Sequence, residues 1–182
     1  QRLETRVLPD GSTLGNGPLH IQDVSDQVHK ATCHFFAANA ELGLPQTDDL
    51  NGPTPEGAAI YQINTRNGWR NSSARAFLRP ARRRGNLRII TGAHVQRIRF
   101  DGRRATGLTY MQGGQQHSVR VNREIILSAG SVASPRLLQL SGIGPADVLR
   151  QHGITPLLDR AEVGGNLQDH LGINYYFRAT EP

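Results

Sequence analysis

One apolar stripe near the start of the chain predicts a helix. Its members recur at alternating spacings of four and three residues: Val24, Val28, Ala31, Phe35, Ala38 and Leu42. This spacing is that of one face of an amphipathic helix, with Ser25 near its start and Gly43 just past its end. We expect the stripe to pack into a core, because an ordinary packed helix shows this whole pattern.

Alternation of apolar and polar residues predicts an antiparallel meander in the middle of the chain. Ile98 and Phe100 alternate with arginines, and similar alternation returns around residues 108–110 and 119–121. Asp-Gly and Gly-Gly pairs separate the three runs, as expected for hairpin connections. An apolar run at residues 87–91 precedes the meander and predicts a buried strand.

Glycine, proline and asparagine interrupt the first half of the chain. Residues 1–18 and 44–57 predict loops, and residues 19–21 predict a short strand.

A hairpin and a short helix are predicted next. Residues 60–65 indicate a strand that turns at Asn67 and Gly68, a pair typical of hairpins. The helix that follows is expected to end at Arg79, because Pro80 disfavours helical geometry in the residue before it.

The most specific stretch of the sequence covers residues 123–144. Its apolar run at residues 125–127 predicts a buried strand, and Ser134 with Pro135 marks a helix start. Glycines at residues 142 and 144 end that helix. A strand, a turn of small residues and a helix N-terminus allow a ligand to approach the backbone closely. The same residues also fit a plain connection between two elements, and by themselves they favour that interpretation.

Composition and charge narrow the classes of function. The chain has 182 residues, is 37% hydrophobic, and carries no apolar run long enough to span a bilayer. Its net charge of +6 comes from twenty arginines and the single Lys30. Arg79 and residues 82–84 form a basic cluster, but no aromatic residue is interleaved with it and no nucleic-acid module follows. We therefore expect a solvated face and no nucleic-acid partner.

Isolated reactive residues do not form a site in the sequence. Cys33, the single cysteine, excludes an intrachain disulfide, and its place in the predicted helix indicates a packed, inert thiol. His29 and His34 are five residues apart and would not share a helical face, so we predict no metal site. Asp169 and His170 are adjacent, and on a strand their side chains would point to opposite faces.

Two motifs identify a family resemblance. The fixed positions of the first are Gly130, Ser131, Ser134, Pro135, Leu137, Leu138, Ser141, Gly142, Ile143 and Gly144. They resemble the second signature of the glucose-methanol-choline (GMC) oxidoreductases, which are FAD-dependent enzymes that oxidise alcohols. The run Val163-Gly-Gly-Asn-Leu-Gln-Asp-His170 is similar to that family's VGxNLQDH segment. The resemblance extends from about residue 17 onward and is strongest to the choline dehydrogenase branch.

The resemblance implies an α/β fold. The chain would contain part of a doubly wound FAD-binding domain with a β-meander, and the start of an antiparallel-sheet substrate domain. Residues 1–86 would be a mixed segment of loops, the amphipathic helix and a substrate-side strand. Residues 87–153 would belong to the FAD-binding domain, and residues 154–182 would enter the substrate domain through a strand over residues 171–177.

Site residues follow from the same resemblance. Val95 matches the family position whose main chain meets the FAD adenine, while Ala129 and Gly130 match positions that approach the adenosine ribose. On the substrate side, Tyr61, Asn174 and Tyr176 are implied to face the pocket. Each also has an ordinary alternative role in a strand or its end.

The resemblance further implies that the chain is the central part of a larger enzyme. No GxGxxG phosphate loop is present, and neither is the family's catalytic histidine segment. The isolated segment is therefore expected to be inactive, and its partners would be the remaining parts of the same protein and an alcohol substrate. Two alternatives remain open: a family lyase that keeps FAD structurally, and a basic, non-enzymatic binding module.

Overall fold

The computed structural model describes residues 3–8, 10–176 and 178. The chain divides into two compact units, Gln1–Ile89 and Ile90–Pro182. Each unit combines short helices with small β-sheets, so the fold is mixed α/β. In the part of the chain described, no helix has both the length and the apolar character needed to cross a bilayer.

A three-stranded sheet forms the start of the first unit. Its strands are β1 (Glu4–Val7), β2 (Thr13–Gly15) and β3 (Leu19–Gln22). The central strand β1 pairs antiparallel with β2 and parallel with β3. The buried Thr5 hydroxyl donates a 2.7 Å hydrogen bond to the Gly17 carbonyl, which fixes the connection between β2 and β3. The loop predicted for residues 1–18 is thus wrong, whereas the strand predicted at residues 19–21 is confirmed.

The predicted amphipathic helix is shorter and more exposed than its pattern indicates. A 3-10 turn over Ser25–Gln27 precedes helix α1 (Thr32–Glu41). Phe35 is 58% exposed and Leu42 is 78% exposed, and Cys33 is also exposed. The expectations of a core stripe and a packed thiol are therefore wrong. Periodicity identifies residues that share a face, but burial requires another element to cover that face.

The hairpin of the first unit is confirmed. Strands β4 (Thr65–Arg66) and β5 (Trp69–Arg70) pair antiparallel. Between them, Asn67 and Gly68 have φ angles of 52° and 73°, the left-handed geometry that a type I′ turn requires. The strand predicted over residues 60–65 is reduced to its end, because the earlier part forms only an isolated bridge between Ile63 and Gln22.

The helix after the hairpin continues through its proline. A π-helical turn over Ala74–Leu78 leads directly into α2 (Arg79–Ala81). Pro80 occupies the first turn of α2, where an amide N–H is not needed for the helix. The expected end at Arg79 is therefore wrong.

The second unit contains the predicted meander. Its antiparallel strands are β6 (His94–Asp101), β7 (Arg104–Gln112) and β8 (Gln115–Arg120), in that order across the sheet. Ile98 and Tyr110 are buried on it. The alternating pattern correctly predicted these strands. One packed and one solvated face are clearest in β6, where Ile98 is buried between the exposed Arg97 and Arg99.

Two buried strands predicted beside the meander do not form. Residues 87–91 and 125–127 are irregular, and Leu87 and Ile126 are 38% and 79% exposed. No strand among the described residues pairs with either segment. An apolar run predicts burial, but a strand also requires a hydrogen-bonded neighbour. The extended parallel sheet of a doubly wound domain is likewise not formed by the described residues.

Two helices and a short parallel strand pair follow the meander. They are α3 (Gly130–Leu140), β9 (Ile143–Gly144), α4 (Ala146–Gln151) and β10 (Leu158–Asp159). Helix α3 begins four residues before the predicted start at Ser134, and Pro135 lies inside it. It ends as predicted, with Gly142 at a φ of +89°. The strand predicted over residues 171–177 does not form at 171–176, and Phe177 lies outside the described residues.

Ser141 joins α3 to the meander. It is 2% exposed, and its hydroxyl accepts a 2.9 Å hydrogen bond from the Ile98 N–H of β6. The same hydroxyl donates a 2.6 Å bond to the Leu137 carbonyl, one turn back in α3. A strand amide and a helix carbonyl are thus satisfied by one buried side chain, which sets the position of α3 on the sheet.

Replacing Ser141 by alanine should destabilise the second unit. The Ser141→Ala change leaves the Ile98 N–H buried without its acceptor, which costs about 1–3 kcal/mol. Urea unfolding should show this loss. The exposed Ser118→Ala in β8 is the matched control and should change stability by less than about 0.5 kcal/mol. Equal effects of the two substitutions would contradict the role of Ser141.

An ion pair in the first unit predicts acid sensitivity. The Arg6 guanidinium donates a 2.7 Å hydrogen bond to Asp49, and this bond, followed by one from the Asn51 N–H, lowers the pKa of the Asp49 carboxyl from 3.8. The stabilising effect of the Arg6–Asp49 ion pair is therefore present above about pH 3.8 and is lost as the pH falls through the lowered pKa of Asp49.

Asp49→Asn should therefore lower the thermal unfolding midpoint at neutral pH. In this variant the midpoint should also decrease less as the pH is lowered than it does in the unmodified chain. The exposed neighbour Asp48 gives the control variant Asp48→Asn, which should keep the acid dependence of the unmodified chain. An unchanged pH profile in Asp49→Asn would show that the ion pair does not contribute.

Candidate functional site

The two motifs of the second unit meet at one cavity. Its volume is about 620 Å³. One wall is formed by α3 side chains between residues 131 and 139, and the other by the consecutive residues 162–168. Residues some thirty positions apart in the sequence thus face each other across a space large enough for part of a cofactor.

Gln139 holds the two walls together. Its side-chain amide donates a 2.9 Å hydrogen bond to the Val163 carbonyl. The next residue, Gly164, has a φ of +85°, and a Cβ there would lie 2.6 Å from the Gln139 amide nitrogen. Glycine at 164 therefore supplies both the left-handed backbone and the space that Gln139 occupies. Asn166 is also left-handed, with a φ of 53°, and completes the turn.

The N-terminus of α3 presents an open backbone beside this cavity. Ala129 caps the helix, and Gly130 follows with a φ of +91°. No atom lies within 4 Å of the point where a Cβ of Gly130 would be. The Ala129 N–H donates a 3.0 Å hydrogen bond to the Ser134 hydroxyl, which fixes the turn. Both predicted ribose-side residues are therefore exposed, small and held in a defined geometry.

Val95 lies on the neighbouring sheet. It is half-buried in β6, pairs with Tyr110 of β7, and is followed by a register shift before Arg97. It does not line the cavity, whose walls come from α3 and residues 162–168. Helix α3 nevertheless packs on β6 through Ser141, so Val95, Ala129 and Gly130 belong to one packed unit.

The predicted substrate-side residues are all exposed. Tyr61 belongs to the first unit and is 78% exposed. Asn174 and Tyr176 lie in the irregular segment 171–176 of the second unit and are also exposed. Their expected shared face required a strand, and that strand is absent from the described residues.

Acid–base and metal chemistry find no support in the described side chains. The Asp169 carboxylate accepts a 2.8 Å hydrogen bond from the backbone N–H of His170, which is a local turn contact. No group of three or more His, Cys, Asp or Glu side chains within the described residues could hold a metal ion. The open turn at the start of α3 has space for a ligand, with no atom near the point where a Cβ of Gly130 would lie.

Sequence reasoning missed Gln139 and the second wall of the cavity. Gln139 occupies a variable position of the signature, so the motif did not mark it. The available signal for the second wall was the presence of two glycine-rich motifs in one unit, since glycines often mark places where another group comes close to the backbone. Their meeting through one glutamine depends on tertiary packing.

Comparison with known proteins gives consistent matches over nearly all of the chain. The profile of the GMC oxidoreductase family matches residues 2–172. An oxygen-dependent choline dehydrogenase from Burkholderia thailandensis is 40% identical over all of this chain, which corresponds to 33% of that protein. The chain thus spans about a third of the length of the curated relatives it matches.

Solved structures agree with the sequence matches. Pyridoxine 4-oxidase from Mesorbium loti has a TM-score of 0.78 and 35% identity, with 87% of this chain and 31% of that chain covered. An FAD-dependent oxidoreductase from Chaetomium thermophilum also has a TM-score of 0.78, at 28% identity, over 87% of this chain and 30% of that one.

Substitution of Gly164 tests how the cavity walls are joined. Gly164→Ala should pay roughly 1–2 kcal/mol for the left-handed backbone and a further 0.5–1.5 kcal/mol because Gln139 must release Val163. Gly153→Ala is the matched control: its φ is +70°, but a Cβ there meets nothing within 4 Å. Urea unfolding should rank Gly164→Ala as the more destabilised.

A Gln139→Ala background makes this test specific. In that background the side chain that a Cβ would displace is gone, so Gly164→Ala and Gly153→Ala should cost similar free energies. A persistent difference between them would show that Gln139 is not the residue affected.

Proposed function

The chain belongs to the GMC oxidoreductase family, and we propose that it is the central part of an FAD-dependent alcohol oxidoreductase of the choline dehydrogenase type. The observation that carries this proposal is the 40% identity to a choline dehydrogenase over the whole chain. GMC enzymes bind FAD, and a primary alcohol is the proposed substrate class. The chain would hold part of a doubly wound FAD-binding domain and the start of a substrate domain.

The α3 turn fits the adenosine end of FAD. Gly130 leaves open space where any other residue would place a Cβ, and Ala129 adds only a methyl group. We propose that the ribose packs against these two residues and that the Val95 main chain meets the adenine edge. Such contacts need only backbone groups and small side chains. Bound FAD would supply the hydride acceptor.

Substrate contacts are proposed for three exposed side chains. Tyr61 and Tyr176 are 78% and 89% exposed, and an aromatic side chain with a polar tip suits a pocket wall better than open solvent. Asn174 offers an amide that can orient an alcohol oxygen. The catalytic base would be a histidine outside this chain, because His170 belongs to the VGxNLQDH segment.

The remaining parts of the same protein are the proposed partners. Residues 125–127 are irregular, no strand among the described residues pairs with them, and Ile126 is 79% exposed. Neighbouring strands of a parallel sheet would satisfy their backbone groups and cover that side chain. The segment 1–182 alone is accordingly proposed to be inactive. The relatives' threefold greater length leaves room for the phosphate loop and the base.

Enlarging the proposed ribose contact should weaken FAD binding. In the full-length protein, Ala129→Leu would fill the space beside Gly130, and overpacking of about 1–3 kcal/mol corresponds to a roughly fivefold to 150-fold loss of affinity. The absorbance ratio at 450 and 280 nm of the purified protein would measure FAD content. Ala40→Leu, at an exposed position of α1, is the matched control and should keep full occupancy. Full occupancy in both variants would contradict the assigned contact.

Anaerobic addition of a primary alcohol tests the reaction itself. Bleaching of the flavin absorbance in the full-length protein is expected, because the electrons of the alcohol would pass to FAD. A flavin that stays oxidised while the substrate is cleaved would instead identify a lyase.

A further inference from the structure

A second concave surface lies in the first unit, and none of the residues proposed above for FAD or substrate lines it. Its volume is about 520 Å³, and it lies between Pro18, the β4–β5 hairpin and the helical segment that follows. An adjoining cavity of about 410 Å³ shares Arg75, Arg79 and Pro80 with it. We call this surface the arginine pocket, defined by Arg66, Arg75, Arg79 and Arg83.

The arginine pocket has no opposite charge of its own. No acidic residue lines either cavity. Within the described part of the chain, the ion pairs join Arg6 to Asp49 and Arg150 to Asp147, so neither involves the pocket. Four guanidinium groups on one concave surface repel each other, and a bound anion would relieve that repulsion. The positive field of Arg66 also helps to lower the pKa of His20, after the larger effect of burial.

Fixed backbone positions hold the arginines in place. Arg66 stands directly opposite Trp69 in the hairpin. The Arg75 guanidinium carbon lies 5.5 Å from the centre of the Trp69 ring, a cation–π distance. Behind them, the buried Asn71 donates a 3.1 Å hydrogen bond to the Pro18 carbonyl. The pocket is thus built on a turn, a stacked pair and a buried amide.

We propose that the arginine pocket binds a small phosphate-bearing anion in addition to the FAD proposed for the full-length protein. A guanidinium presents a planar fork of N–H donors that matches two phosphate oxygens, and several forks around one concave space suit a compact, multiply charged group. A nucleic acid fits this surface less well, because single strands need several aromatic platforms and Trp69 is the single tryptophan of the chain.

Binding of inorganic pyrophosphate to the FAD-loaded full-length protein tests the proposal. Isothermal titration at constant ionic strength should give saturable binding. Arg79→Gln should weaken it at least about tenfold, since a hydrogen bond to a charged group is lost. The affinity of Arg79→Lys for pyrophosphate should lie between those of the unmodified protein and Arg79→Gln, because lysine keeps the charge but lacks the planar pair of N–H donors.

Arg84→Gln is the matched control. This substitution removes the same charge from the same segment, but Arg84 lines neither cavity. The affinity of the Arg84→Gln variant for pyrophosphate should therefore stay within about twofold of that of the unmodified protein. An equal loss in both glutamine variants would indicate diffuse charge attraction and overturn the proposal. Absence of saturable binding, or binding only when FAD is removed, would also overturn it.

The outcome is independent of the proposed oxidation. Arg79→Gln should keep its FAD and the reduction of that FAD by alcohol, because none of the residues proposed to contact FAD or the alcohol lines the pocket. Loss of flavin reduction in Arg79→Gln would assign the arginine to the oxidation and overturn the proposed anion site.

Discussion

The second unit depends on one buried hydroxyl. Ser141 satisfies an amide of β6 and a carbonyl of α3 at once, and it is almost fully removed from solvent. Because one hydroxyl makes both bonds, a shift of the helix along the sheet would break at least one of them and leave a buried polar group unpaired. The start of α3 at Gly130, eleven residues before this contact, is positioned by the rigidity of the helix. The exposed Ala129–Gly130 turn is therefore presented in a fixed place by an interaction at the opposite end.

The signature residues separate into two groups by what surrounds them. Gly142 and Gly144 lie where a Cβ would contact neighbouring atoms, at 3.0 Å from the Thr155 carbonyl and 2.9 Å from the Gln139 side chain. Gly130 faces open space. The first two glycines permit close packing of the chain, while Gly130 leaves a surface accessible to a ligand. One continuous motif thus specifies both a scaffold and the part of it proposed to meet the adenosine.

The positively charged surface of the first unit shows how local and tertiary information differ. The sequence drew attention to Arg79 and residues 82–84 as a consecutive cluster, which indicated a solvated face. The structure instead groups Arg79 with Arg66 and Arg75, because a hairpin and a π-helical turn bring them around one cavity. Spacing along the chain could not reveal this group, since its members come from a strand, a π-helical turn and the α-helix that follows it.

The sequence by itself determined the elements whose signals are local. These are the Asn67-Gly68 turn, the three alternating strands of the meander and the glycine end of α3. They follow from backbone preferences and from the alternation of apolar and polar residues, which neighbouring residues encode. Tertiary structure decided the rest. Residues 125–127 have the composition of a buried strand but no hydrogen-bonded neighbour among the described residues, and the α1 stripe lacks a covering element. The contact between Gln139 and Val163 likewise joins residues that no local pattern relates. Burial and strand pairing each require two segments in contact. The sequence of one segment can therefore indicate that it packs against another segment, but it does not identify which one.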